Sequence, residues 1–294
     1  MRQNKGNCTP TGDTCLCKKL YTEVNAEENG FTVSLKDRIL VLGSCFADNM
    51  GARMAEAGFD VCVNPFGTLY NPASVWDAIS RLDSARPFTA DECVPMGAGA
   101  DLICSFSHHT SFARPTEEEF LENANARLEE AAEFWKGCGK VIITFGTAMV
   151  WRHEGEVVSN CLKRPAKEFT REMLSLGEIG DCIRCIESMG KECLFTVSPI
   201  RHLSDGAHAN TLSKASLQIA LADCGAAYFP SYEIVLDELR DYRFYAEDMC
   251  HPSPLAVRII WDRFVCQAVP ADEHEALREN EKAARRAAHR PINQ

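Results

Sequence analysis

Ser44 and Cys45 stand side by side after the apolar run ILVLG, and either could act as a nucleophile if a base were brought to it. Far along the chain, Asp248 and His251 lie three apart in YAEDMCHPS. In a turn, that spacing lets the carboxylate approach the imidazole Nδ1. The bond fixes the tautomer and leaves Nε2 free as a base. A serine at the end of a first strand, followed by a C-terminal D-x-x-H, is the chain order of one serine-hydrolase design. The chemistry so suggested is acyl transfer through a covalent intermediate.

These residues need elements to bring them together, and the chain alternates strand and helix. Strands are predicted at RILVLG (38–43), FDVCVN (59–64), KVIITF (140–145), ECLFTV (192–197) and AAYFP (226–230), with a further one at DLICSF (101–106). Several lack polar alternation, as parallel strands covered on both faces do. Phe46, Met50, Met54 and Ala57 repeat at helical spacing. Asn71-Pro72 reads as a cap and first turn, and Thr116 with Glu119 as a capping box. Further helices are expected near 170–189, 210–224 and 253–268. The pattern predicts one α/β domain over residues 31–270, with a polar extension at 1–30 and a charged helix or tail, solvated or frayed, at 271–294.

Open parallel sheets bind ligands beyond the carboxyl ends of their strands. The turns Gly43-Ser44, NPFGTLYNP (64–72) and FGTAMVW (145–151) would gather there. His109 in FSHHTSF, and Arg201 and His202 in SPIRHLSDG, could reach the same pocket and hold a substrate carboxylate or sugar hydroxyl.

Bulk composition excludes other classes. The chain has 294 residues, a formal charge of −11 and no long Lys/Arg block, which disfavours nucleic acid and anionic membrane surfaces as partners. No run approaches the ~18 apolar residues of a spanning helix. The polar N-terminus is not a secretory signal. Of the 15 cysteines, Cys62, Cys104, Cys193, Cys224 and Cys266 sit in apolar contexts, which predicts reduced thiols and a cytoplasmic location. Cys182 and Cys185 form a C-x-x-C without a matched second pair, on a helical apolar spacing, which favours packing over metal. Cys8, Cys15 and Cys17 lie in the polar N-terminal segment.

The pentapeptide Gly43-Ser44-Cys45-Phe46-Ala47 carries a resemblance to the GSCFA-domain family, within the wider GDSL/SGNH hydrolase-like group. It extends from about Leu35 to Phe264 through NPFGTLYNP, TFGTAMVW, VVSNCLKRPAKEF, TVSPIRHLSDG, SKASL and YFPSYEIVLDELRDYRFYAEDMCHPS. The resemblance implies a three-layer, flavodoxin-like sandwich with a mostly parallel sheet of about five strands. It also implies Ser44 as nucleophile, His251 as base and Asp248 orienting it, with the N–H groups of Ser44 and Gly67 holding an oxyanion. The Asn expected soon after the Gly of the fourth strand is absent after Gly146, which leaves Asn160 and Thr147 as substitute donors. Leu162 stands where a His is expected. A helix starting after Ser44 would rotate Cys45 by roughly 100°, away from the base. The implied activity is hydrolysis of a small or glycan-linked acyl ester, without metal or organic cofactor. Acyl transfer by the same mechanism and a non-catalytic carbohydrate- or acyl-binding module are the alternatives.

Overall fold

The computed structural model describes residues 22–25, 29–97, 99 and 101–288, so Cys8, Cys15 and Cys17 lie outside the described residues. Its centre is a parallel sheet in the order β2-β1-β5-β9, formed by β1 (Arg38–Gly43), β2 (Asp60–Val63), β5 (Lys140–Phe145) and β9 (Glu192–Val197). Between β2 and β5, the two-residue strands β3 (Val94–Pro95) and β4 (Ile103–Cys104) pair antiparallel.

Successive side chains of a strand point to opposite faces, and β1 shows the consequence. Leu40 and Leu42 join the core beneath α2 (Pro72–Ser84), α3 (Glu117–Gly137), α4 (Leu176–Glu187) and α5 (Ala207–Cys224). Ile39 and Val41 join the opposite core beneath α1 (Cys45–Glu56), α7 (Pro254–Ala268) and α8 (His274–Ala288). A short α6 (Ser231–Glu233) continues into a π-helical turn, Ile234–Leu239. Both faces are covered, which is why the strands read as unbroken apolar runs.

Four expectations are corrected. The sheet has four strands, because AAYFP contributes only a bridge between Tyr228 and Phe195. Pro230 has no N–H to extend that ladder, and Ser231 already begins a helix. DLICSF forms strand only at Ile103–Cys104, and outside the central sheet. The segment expected to be helical from 170 is β8 (Phe169–Met173), and α4 starts later, behind a Ser175/Glu178 capping box. Finally, α8 is docked rather than solvated: Leu277 is buried, Asn280 donates to Ala57 O, and Trp261 Nε1 donates to Glu281.

The sequence reading missed a second sheet, β7-β6-β8, built from β6 (Met149–His153), β7 (Glu156–Val158) and β8. A two-residue turn at Glu154-Gly155, both with positive φ, joins β6 to β7. Cys182 and Cys185 are free thiols on α4. Cys266 is disulfide-bonded, so the expectation of a packed, reduced thiol does not hold there. No helix among the described residues is long and apolar enough to cross a membrane.

Candidate functional site

Gly43 ends β1 at φ +137°, and a Cβ there would fall 2.1 Å from the Thr144 carbonyl oxygen of the adjacent β5. Only glycine lets the chain leave the strand so close to its neighbour. Ser44 follows as the N-cap of α1: it is fully buried, and its Oγ accepts the N–H of Phe46 at 3.3 Å. Capping turns the Ser44 side chain inward, under the end of the helix. The rotation to the next residue therefore carries Cys45 outward. Cys45 Sγ lies 3.3 Å from His251 Nε2. The two neighbours are placed the other way round from the expected geometry: the thiol faces the imidazole, and the hydroxyl is a buried cap.

Asp248 and His251 meet as their spacing predicts. Asp248 Oδ2 is 2.5 Å from His251 Nδ1, and Asp248 Oδ1 accepts the N–H groups of Cys250 and His251, each at 2.9 Å. One carboxylate both closes the turn and aims the ring. The His251 and Cys250 amides, then the imidazole, hold its carboxyl down to about 2. An ionised carboxylate on Nδ1 puts the ring hydrogen there and leaves the Nε2 lone pair facing the thiol. Arg201, expected to bind substrate, secures this turn instead. Its backbone N–H donates to Cys250 O, its Nη1 donates to Met249 O at 2.8 Å, and its guanidinium lies against Tyr242 and Tyr245.

Burial, followed by the charge of Asp48, raises the Cys45 pKa; the N–H groups of Cys45 and Phe46 pull it down. The helix N-terminus favours a thiolate, yet desolvation and the acidic neighbours outweigh it. The surroundings thus favour the neutral thiol over the thiolate beside Nε2.

The expected oxyanion donors are engaged within the fold. Ser44 N–H points to Thr144 O at 3.4 Å, and Gly67 N–H donates to Asn64 O at 2.8 Å. Gly67 itself has φ +88°, with His109 where a Cβ would be. Thr147 N–H donates to Tyr70 O, and its hydroxyl meets Ser213 Oγ at 2.9 Å. Asn160 Oδ1 accepts Leu162 N–H, while its side chain lines a cleft; Leu162 is fully buried.

His109 caps a short turn through Ser111 and lines a separate pocket with Asp48, Asn64 and Thr68. His202 lines the cleft that holds Asn160. Its Nε2 is buried without a hydrogen-bond partner, and burial, followed by Lys214, pushes its pKa down to about 4.

Lys214 was overlooked. It is buried on α5, and its Nζ donates to Gly146 O and Ser198 O, both at 2.6 Å. These carbonyls directly follow β5 and β9, so the amine ties together the two strand ends behind the site. Burial pushes it down to about 7, and a neutral amine has two hydrogens for these two acceptors. Its spacing from Leu217 and Leu221, all buried on one helical stripe, was the available signal.

None of the curated proteins matches the chain. The sequence profile of the GSCFA family matches residues 38–264, from the first residue of β1 into α7 and across the whole Cys45–Asp248–His251 constellation. By that match over most of its length, the chain belongs to the GSCFA family.

Proposed function

We propose that this protein transfers acyl groups through a thioester on Cys45, in its simplest form hydrolysing acyl esters. One observation carries the reading: Cys45 Sγ, His251 and Asp248 form a continuous hydrogen-bonded series at the carboxyl edge of a parallel sheet. The fold would then be of the flavodoxin-like SGNH type, with a thiol where the wider group uses a hydroxyl.

His251 Nε2 takes the thiol proton as Sγ attacks the ester carbonyl carbon. Asp248 stabilises the imidazolium that forms. The first-turn N–H of Cys45 lies at the positive end of α1, where it supports the developing oxyanion. Collapse breaks the bond between the carbonyl carbon and the alcohol oxygen. The alcohol leaves with the proton held by His251, and Cys45 remains as a thioester. Water then attacks, giving its proton to Nε2, and the carboxylic acid departs as the thiol reforms. A second alcohol in place of water would make the same site an acyltransferase. The half-exposed His251 ring is open to either.

The test is turnover of p-nitrophenyl acetate with intact-mass analysis of the quenched protein. The wild type is expected to acquire one acetyl group, mapped to Cys45, and Cys45→Ala to lose both adduct and turnover. Ser44→Ala should keep its turnover while losing about 1 kcal/mol of stability with the cap. An adduct on Ser44, or full turnover by Cys45→Ala, would overturn the assignment.

A further inference from the structure

Acyl-transfer sites hold the tetrahedral oxyanion with paired donors. The first-turn amide of Cys45 is one such donor here, while the others expected are engaged within the fold. The neighbouring side chains are mostly committed too. Ser44 Oγ caps α1, Asn64 Nδ2 donates to Asp48 Oδ1 at 2.6 Å, and the Thr147 hydroxyl meets Ser213. Tyr70 differs. Thr68 Oγ1 donates to its phenol oxygen at 3.2 Å, and the phenol's own hydrogen has no acceptor among the described residues.

The backbone around Tyr70 is tied to both strand ends at the site. Leu69 N–H donates to Gly43 O at 2.8 Å, which joins the loop after β2 to the strand end two residues before Cys45. The Tyr70 carbonyl accepts the amides of Gly146 and Thr147, each at 2.8 Å, at the matching end of β5. Its ring lies over Gly146, where a Cβ would fall 3.4 Å from Tyr70 Cδ1, and meets His202 edge-on at 5.8 Å. The hydroxyl end is on the α1 side: Thr68, its partner, lines a pocket with Asp48, one turn after Cys45. Burial raises the Tyr70 pKa, opposed by the Thr68 bond and reinforced by Cys45 and Asp48. The phenol therefore stays neutral, and able to donate, through the neutral pH range.

We infer that the Tyr70 hydroxyl is the side-chain oxyanion donor of this site, paired with the Cys45 amide, an assignment that rests on the acyl-transfer reading. As Sγ attacks, the carbonyl oxygen gains charge and accepts the phenol hydrogen. The hydrogen bond strengthens, and the proton stays on Tyr70. No bond is made or broken at the ring, so the balance of the thioester cycle is unchanged. A positioned donor of this kind is worth about 10²–10³ in kcat.

Two electrophiles separate this role from support of the thiol. p-Nitrophenyl acetate builds an oxyanion at its carbonyl, whereas iodoacetamide alkylates Sγ by displacing iodide from a saturated carbon and builds none. Tyr70→Phe keeps the ring against Gly146 and His202, and should lose about 10²–10³ in kcat with little change in KM. Its rate of alkylation at Cys45, followed by peptide mapping, should match the wild type. Thr68→Val removes only the bond that orients the phenol, and should lower turnover less, again without slowing alkylation; it serves if Tyr70→Phe fails to fold. Equal losses with both reagents, or unchanged turnover in Tyr70→Phe, would overturn the inference and leave the thioester on Cys45 standing. A wild type that is alkylated at Cys45 yet neither turns over nor acquires an acetyl group would remove the acyl-transfer reading, and this inference with it.

Discussion

Replacing Lys214 with Met turns the buried amine into a measurable quantity. Burial pushes the lysine from 10.5 down to about 7 in the folded protein. Between those values the unfolded chain holds a proton that the folded chain does not. Wild-type stability should therefore rise with pH across this window, by up to about 1.4 kcal/mol per pH unit. Below pH 7 both states carry the proton and the penalty is constant, at most about 5 kcal/mol for a gap of roughly 3.5 pH units. Met removes the titration but leaves Gly146 O and Ser198 O without their donor, an offset of about 1–3 kcal/mol per carbonyl that does not vary with pH. Urea unfolding followed by tryptophan fluorescence, at about pH 7, 8 and 9, gives both stabilities. Their difference should shift in favour of the wild type by about 2 kcal/mol over that range. Cys62, Cys104 and Cys182, raised by burial to about 11, impose an opposite slope above pH 9, but they do so in both proteins. Parallel curves for wild type and Lys214→Met would mean that the amine keeps its solution pKa, and the strand-end account of Lys214 would fail.

Three further outcomes follow from the same structure. His108 is enclosed by Phe66, Phe88, Phe112 and Phe120, and burial pushes it from 6.5 down to about 3. Stability should be full above pH 6.5 and fall by up to about 1.4 kcal/mol per unit as pH drops toward 3, and acid titration of His108→Leu should show a shallower fall. Asp248→Asn keeps an oxygen for the Cys250 and His251 amides but no anion for the imidazolium, so p-nitrophenyl acetate turnover should drop roughly 10²–10⁴-fold with an unchanged circular dichroism spectrum. Gly43→Ala drives a Cβ into the Thr144 carbonyl at a positive φ, and thermal unfolding should show it far more destabilised than Gly155→Ala, where a Cβ meets nothing.

The central strands were legible because burial on both faces writes itself into composition: KVIITF and ECLFTV have no solvent side to mark. Helix caps were equally local, since Asn71 accepts Ser74 N–H and Thr116 accepts Glu119 N–H, as residue type and spacing predict. Where propensity and tertiary pairing competed, reading failed. AAYFP has strand-forming residues, but Pro230 and the following helix leave it one bridge. Phe169–Met173 could pass for a helix start. It is a strand because β6 offers it five partners, including Trp151 beneath the Arg171 guanidinium.

The site divides along the same line. D-x-x-H was readable because its geometry lies within one turn, where a single carboxylate serves both the amides and the ring. Which side chain faces the imidazole was not readable, since Ser44 and Cys45 are separated by a single helical step whose sense depends on which residue is the cap. Serine favours the N-cap, and capping requires its oxygen to fold back on the second or third amide. A serine engaged in that way is withdrawn from an external base. Its neighbour at the first helical position has a side chain free to point outward, beside unpaired amides. The cap preference that makes Ser44 look well placed at a strand–helix turn therefore argues against it as the reacting group. In a strand–Gly-Ser-Cys–helix sequence the physical expectation is a hydroxyl that builds the helix end and a thiol that points away from it, and the 3.3 Å approach of Cys45 to His251 has that geometry.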